Sequence, residues 1–379
     1  MVSRINNEYK KPELLAPAGD IERLKIAFHY GADAVYLGGQ DFSMRANAKN
    51  FSLGDIKEAC SLAHSLKKKV YVTVNIVFHN EDFNGLVDYL KALELYGVDA
   101  IIVSDMSIID IVHDNNINIP IHISTQMSNC NIESVKYLKE LGVEIECFLH
   151  GAMCSSYSGR CVLSNYFTGR DANRGGCAQI CRWCFDIEGI DNDTKFTMSC
   201  KDLSLINYLS DMIDIGISSL KVEGRMRSNY YIATVISTYR QAIDDYYNNT
   251  LTNEKLEYYS KILNRVANRD STSQFYDKFP GVDEQYFLGR QEVSNQDFLG
   301  IVLEYNDYTN EVTLEQRNYF KPGDIVEMFG PNIKTIEFII PNIYDEDGNT
   351  LEVARHPRQI IKFKLDKKVY KDDIMRIKI

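Results

Sequence analysis

Residues 70–125 read VYVTVNIVFHNEDFNGLVDYLKALELYGVDAIIVSDMSIIDIVHDNNINIPIHIST. Three short runs rich in Val and Ile, at Val70–Asn75, Ala100–Ser104 and Pro120–Ser124, each close on a polar residue. Between the first two, EDFNGLVDYLKALELYG spaces its apolar residues as one helical face and stops on Gly. Apolar strands that alternate with helices pair in parallel through right-handed crossovers.

The same unit recurs on both sides. Upstream lie strand candidates at Leu14–Pro17 and Ala34–Leu37, with helical patterns DIERLKIAFHYG and SLGDIKEACSLAHSLKK. Downstream come NIESVKYLKELG and strand candidates at Ile145–His150, Phe196–Ser199 and Ser219–Glu223. The last leads into SNYYIATVISTYRQAIDDYY. Several helices open on an Asp, Ser or Asn cap. Eight strand candidates favour a closed TIM-like (β/α) barrel over an open sheet, an α/β fold occupying residues 1–250. Near residue 250 the rhythm changes. Residues 251–296 read as a helical, then irregular connector. Residues 297–379 alternate apolar and polar residues between turn signals, as a small antiparallel β domain does, and a barrel is expected.

The chain has 379 residues, 45% hydrophobic and 25% charged, with a formal net charge of −11. That balance argues against bulk attraction to polyanions but permits a local basic groove. No apolar run approaches the ~18 residues that span a bilayer, and the N-terminal residues lack an apolar leader core. A cytoplasmic location without a membrane is the expectation, and cysteines there remain thiols.

Nine cysteines are present, seven of them between Cys147 and Cys200. In such a compartment this reads as ligands or reactive thiols. The stretch HGAMCSSYSGRCVLSNYFTGRDANRGGCAQICRWC, residues 150–184, supplies Cys154, Cys161, Cys177, Cys181 and Cys184, with Cys200 beyond. Four soft sulfur ligands suit zinc or an iron–sulfur cluster. Cys60, Cys130 and Cys147 lie in apolar or helical contexts and read as small core residues. Arg160, Arg170, Arg174, Arg182 and Lys201 crowd the same region, as a solvated loop or as an anion pocket beside the sulfurs.

In a parallel barrel the functional groups sit where strands end. Those ends carry Ala16-Pro17-Ala18-Gly19, Gly38-Gly39, Asn75, Ser104-Asp105, Ser124-Thr125-Gln126, His150-Gly151 and Glu223-Gly224-Arg225. His150 stands four residues before Cys154, so a Cys–His nucleophilic pair is one reading; a hydrogen-bonding rim residue is the other. No H-E-x-x-H, G-x-S-x-G or Walker motif is present.

These residues resemble the collagenase-like "U-type" peptidase family. The match runs from Glu146 and Phe148 through Gly151-Ala152-Met153-Cys154, Gly159, Cys161 and Leu163 to Ser164. PELLAPAG, AVYLGG, SMRANAKNFS, VYVTVN, IHISTQ, TGRDANRGGCAQICRW, KDLSLI, SLKVEGRMRS and RNYFKPGDIVEMFGP extend it over nearly the whole chain. Within the family the layout is similar to the branch that converts tRNA wobble uridine to 5-hydroxyuridine with prephenate. The resemblance implies a [4Fe–4S] cluster on Cys154, Cys161, Cys177 and Cys181, with Cys200 as a reserve ligand and Cys184 as a spare. It implies tRNA and a small carboxylate donor as partners, and a paralogous or identical subunit is compatible with it. His150, Glu223, Arg225, Asn75 and Gln126 are the candidate catalytic residues. Arg45, Arg160, Arg170, Arg174 and Lys201 are the candidate substrate contacts. A peptidase using Cys154 or a metal-bound water, and a structural zinc module, are the alternatives.

Two departures stand out. After KELGV the family has a further strand and helix, whereas here GVEIECFLHG follows almost at once, which reads as the loss of one βα unit. NRDSTSQFY replaces a Gly-rich segment.

Overall fold

The computed structural model describes residues 10–44, 50–127, 144–189, 196–287 and 297–378. Arg45, Cys130 and the NIESVKYLKELG pattern lie outside the described residues.

Strands β1 (Glu13–Pro17), β2 (Ala34–Gly38), β3 (Lys69–Val74), β4 (Ala100–Val103) and β5 (Ile121–Ile123) pair in sequence, each parallel to the next. On the other side of β1 lies β8 (Ser219–Val222), parallel to it, and beyond β8 comes β6 (Glu146–Gly151), again parallel. A first strand flanked by the second and the last gives the strand order of a TIM-like barrel. Among the described residues the sheet is not closed: its order runs β5-β4-β3-β2-β1-β8-β6 and then leaves the barrel. β7 (Asp202–Ser204) adds to β6 antiparallel, and β9 (Ser271–Thr272) adds to β7.

The crossovers carry α1 (Ile21–His29), α2 (Leu53–Ser65), α3 (Leu86–Leu95) and α4 (Ser107–Asp114). After β6 come α5 (Leu163–Thr168), α6 (Leu209–Asp214), α7 (Asn229–Tyr247) and α8 (Asn253–Asn264). Their starts follow from the caps the sequence offers. Asp20 accepts from the Arg23 N–H at 2.9 Å, and Ser52 and Asp55 form a capping box. The helices Ile21–His29, Leu53–Ser65, Leu86–Leu95 and Asn229–Tyr247 lay apolar faces inward, so Leu24, Ile56, Leu90 and Ile236 are completely buried. Inside the strands, Leu15, Ala34, Tyr36, Tyr71, Ala100 and Ile102 form a separate cluster.

One expected strand is absent. Phe196–Ser199 makes only an isolated bridge, Phe196 to Phe185, and is held by single hydrogen bonds: the Met198 N–H donates to the Cys181 carbonyl at 3.0 Å, and Thr197 Oγ1 to the Tyr286 carbonyl at 2.5 Å. The strand proper starts three residues later, where Leu203 and Ser204 find the free edge at His150 and Gly151.

Residues 297–378 form an eight-stranded antiparallel sheet with its own core of Val302, Leu314, Met328 and Phe363. Its strands are β10 (Phe298–Asn306), β11 (Glu311–Gln316), β12 (Ile325–Gly330), β13 (Ile333–Ile339), β14 (Ile343–Tyr344), β15 (Thr350–Leu351), β16 (Ile360–Lys364) and β17 (Ile374–Ile377). The end strands β13 and β15 do not pair with each other, so the expected second barrel is an open sheet among the described residues. It docks on the first domain through Ile301, Phe329 and Ile374, which join the barrel's core, and through Tyr230 stacked on Phe298 at 5.1 Å. Arg265 ties Asp297 and Glu327 together at that junction. No described helix is long and apolar enough to cross a membrane.

Candidate functional site

A cavity of about 2370 Å³ runs through the barrel, from strand starts such as Glu13 and Lys69 to the C-terminal ends of the strands. The polar strand ends meet there. Asn75, just past β3, donates Nδ2 to Gln126 Oε1 at 2.7 Å, and Gln126 Nε2 returns a bond to the Asn75 carbonyl at 2.9 Å. The pair locks two side chains from separate strands into one orientation, as a binding rim needs. At the end of β6, His150 is 3% exposed and lies 3.3 Å from the Tyr239 hydroxyl through Nδ1. Burial, and then the Arg227 charge, push its pKa down to about 3, so its ring stays neutral at physiological pH.

Beyond β8, Arg225 is 7% exposed and donates Nη2 to the Met44 carbonyl at 2.5 Å. It passes against two glycines. A Cβ at Gly38 would stand 2.1 Å from Arg225 Nη1, and one at Gly19 would stand 2.2 Å from the Arg225 carbonyl oxygen. Glu223 lines the same cavity, and its carbonyl accepts from Tyr231.

The loop after β6 folds over this mouth. Cys154, Cys161, Cys177 and Cys181 all line the cavity, and none is in a disulfide. Partial burial pushes the Cys154 thiol up. A Ser156 backbone hydrogen bond opposes it, while Cys181, Cys161 and Cys177 push upward too, which places those three sulfurs within electrostatic reach of Cys154. Cys200 is buried behind them and feels Cys154 and Cys181. Cys184 is exposed and does not line the cavity. Among the described residues no three His, Cys, Asp or Glu side chains stand in a geometry that holds a metal ion. The donor chemistry fits a soft metal or an iron–sulfur cluster; the sulfurs are gathered on one wall without standing as a finished ligand set.

The loop is pinned at its centre. Arg174 forks onto Asp82 at 2.6 and 2.8 Å and onto the Val77 carbonyl at 2.6 Å, and Asn173 clasps both backbone groups of Cys161. The Arg174 hydrogen bonds pull the Asp82 carboxyl down to about 2. Arg174→Ala should loosen the cysteine loop, read as faster proteolysis within residues 155–185 and a lower melting temperature at pH 7. The sign of the pH dependence is fixed by the depressed pKa. The increment is complete above the ordinary carboxyl value near 3.8 and is lost as pH falls through about 2, so the wild-type advantage should close there. An equal gap at pH 7 and pH 2 would remove the ion pair as its cause.

The candidate substrate cations therefore divide. Arg160 and Arg170 are exposed. Arg174 is occupied by Asp82, and Lys201 Nζ lies 4.0 Å from Asp270. The site also gathers residues that the sequence reading did not select. Arg269 and Arg227 converge on Asp202, one from each side. Arg227 belongs to the SLKVEGRMRS motif and could have been found there. Arg269 comes from the divergent NRDSTSQFY segment, where no pattern marks it.

Residues 19–144 and 139–286 match peptidase family U32, and residues 294–376 match the C-terminal domain of that family. The chain belongs to peptidase family U32. It is 48% identical to tRNA hydroxylation protein P1 of Bacillus subtilis, over 97% of this chain and 95% of that protein. It is 30% identical to tRNA hydroxylation protein P of Escherichia coli, over 91% of each. A Porphyromonas gingivalis protein named collagenase is 32% identical over 70% of this chain and 73% of its own length. The Bacillus alignment runs over 404 positions, more than the 379 residues here, so at least 25 positions have no counterpart in this chain. The two family matches meet at residues 139–144, between β5 and β6. That is where the lost βα unit was expected, and residues 128–143 there lie outside the described residues.

Proposed function

We propose that this chain is an iron–sulfur enzyme that hydroxylates the wobble uridine of tRNA to 5-hydroxyuridine, using a prephenate-type carboxylate as donor, in the cytoplasm. The observation that carries the reading is the convergence of four thiols and four polar strand ends on one cavity, in a family whose similar members are named tRNA hydroxylation proteins. Cys154, Cys161, Cys177 and Cys181 would hold the cluster; with a cysteine on each iron it would supply electron-transfer chemistry beside the bound donor. Replacing C5–H by C5–OH removes two electrons from the base, so the donor must bring the oxygen and accept them.

The protein's own part is positioning. Asn75 and Gln126 form a paired amide edge suited to a pyrimidine, and C5 of a stacked base is accessible only after extrusion. Outside the cavity the cysteine loop carries Tyr166, 82% exposed, in contact with Phe167, and Phe167 in turn meets Trp183. Exposed aromatic faces on the loop that also carries Arg160 and Arg170 suit unstacked bases and their phosphates. These local groups must outweigh a net charge of −11.

The collagenase-named relative keeps a peptidase reading in view. A cysteine nucleophile works as a thiolate beside a protonatable base. Here burial pushes Cys154 up and His150 down, the reverse of that pairing. The deciding experiment is nucleoside analysis of tRNA from a strain lacking the gene. Loss of a hydroxylated uridine is expected. An unchanged profile, with no tRNA binding at low salt, would return the peptidase to first place.

A further inference from the structure

Beside the cysteines the same cavity holds a second charged group. Arg269, 8% exposed, donates Nη1 to Ser199 Oγ at 2.9 Å and to the Cys200 carbonyl at 2.8 Å, and pairs through Nη2 with Asp202. Arg227 reaches the other Asp202 oxygen at 3.2 Å, with its guanidinium 5.0 Å from the Tyr231 ring centre. Arg182 lines the cavity with them, and its one side-chain hydrogen bond among the described residues goes to Gln179 Oε1 at 3.1 Å.

Arg227 and Arg269 thus grip a single carboxylate that is 3% exposed, and Arg182 acts on it through its charge. Glu223 and Arg225, which share the cavity, cancel in the charge count. Asp202 balances one of the three guanidiniums, so the arginines keep a net positive charge of two before the cysteines beside them are counted. The planar fork of arginine fits carboxylate and phosphate oxygens. Arg227 and Arg269 are already fixed by Asp202, which makes them a rigid floor. Arg182 is the member with donors to spare among the described residues.

We infer that Arg182, Arg227 and Arg269 form an anion subsite, next to Cys154 and Cys181, that takes the carboxylate or phosphate group of a ligand. The inference rests on the proposed reading of this cavity as the reaction site, and it specifies which arm of the cavity holds the charged end. Two sources share that chemistry: a free small carboxylate, or a phosphate of the RNA.

The test titrates malonate and inorganic phosphate into the anaerobically prepared full chain by calorimetry, for wild type, Arg182→Gln and Arg182→Lys. Iron is measured in each. Arg182→Gln should weaken anion binding roughly tenfold or more with its iron unchanged. Arg182→Lys keeps the charge without the fork, and should fall between the two; it carries the test if the Gln variant does not fold. The salt slope of tRNA binding then separates the sources. A slope smaller by about one in Arg182→Gln assigns the subsite to an RNA phosphate. An unchanged slope with lost malonate binding assigns it to a free carboxylate. Unaltered affinity for both probes together with an unaltered slope overturns the subsite. So does loss of iron in both variants, since the arginines would then only offset the thiolates. A wild-type protein that binds malonate while the tRNA nucleosides of the deletion strain stay unchanged upholds the subsite and removes the hydroxylase reading.

Discussion

Alanine at Cys154, Cys161 or Cys177 is expected to remove most of the bound iron and visible absorbance, and tRNA hydroxylation with them. Cys60→Ala should leave all three measurements at the wild-type level. The contrast is physical. Cys60 sits in α2 with no exposed surface, and burial pushes its thiol up to about 12, so it is a packed core residue without thiolate character. The loop cysteines lie on the wall of an open cavity, with Cys161, Cys177 and Cys181 within electrostatic reach of Cys154. A cluster with three remaining sulfurs loses a strong ligand and gains access for water, so the loss should be large at each position.

The fourth ligand is read by comparing two further variants. Cys181 lines the cavity with the other three and shares a short loop with Cys177, whereas Cys200 is buried behind them. Closing a short loop costs less chain entropy. Cys181→Ala should therefore cost more iron than Cys200→Ala, and Cys184→Ala should cost little. The opposite ranking of Cys181 and Cys200 would move the fourth sulfur behind the loop. Equal iron in all the cysteine variants would sink the assignment altogether.

The barrel half of this architecture was legible because βα units announce themselves locally. Val70–Asn75 and Ala100–Ser104 are short, apolar and followed by amphipathic helices; the observed β3 is shifted by one residue and β4 ends one residue earlier. The site was legible in the same measure, since a strand's last residues fall on the barrel's upper rim whatever the side chains are. What failed was local pattern without a tertiary partner. Phe196–Ser199 alternates like a strand, but the neighbouring backbone edge lies at residues 150–151, where Leu203 and Ser204 take it. The arginine group around Asp202 was hidden for a related reason. Arg269 and Asp202 are 67 residues apart, and only the addition of β9 beside β7 brings them together. Arg174 shows the converse. Its sequence position suggested a substrate contact, but the fork is occupied by Asp82, which lies 92 residues earlier.

Gly38→Ala is the second substitution expected to act strongly, and it should separate the rim from the cluster. Arg225 runs in a slot that exists because β2 ends on a residue without a side chain. A methyl group at Gly38 would meet Arg225 Nη1 at 2.1 Å and Ser43 Oγ at 2.5 Å. A guanidinium at the end of a flexible chain can move away, but this one is 7% exposed and already donates to the Met44 carbonyl. Moving it leaves that carbonyl without its donor and shifts the charge that faces the cavity mouth. The chain should still fold and keep its iron, because no cysteine touches the slot. Hydroxylation should fall roughly tenfold or more, since displacing a positioned group by an ångström costs up to about a hundredfold. Gly19→Ala makes the control. Its methyl would meet the Arg225 backbone oxygen at 2.2 Å, which cannot swing aside, so that variant should lose thermal stability as well as activity. Because Gly38 would act through Arg225, the double variant Gly38→Ala, Arg225→Ala should be no worse than Arg225→Ala alone. Full activity in Gly38→Ala, or additive losses in the double variant, would take Arg225 out of the working rim.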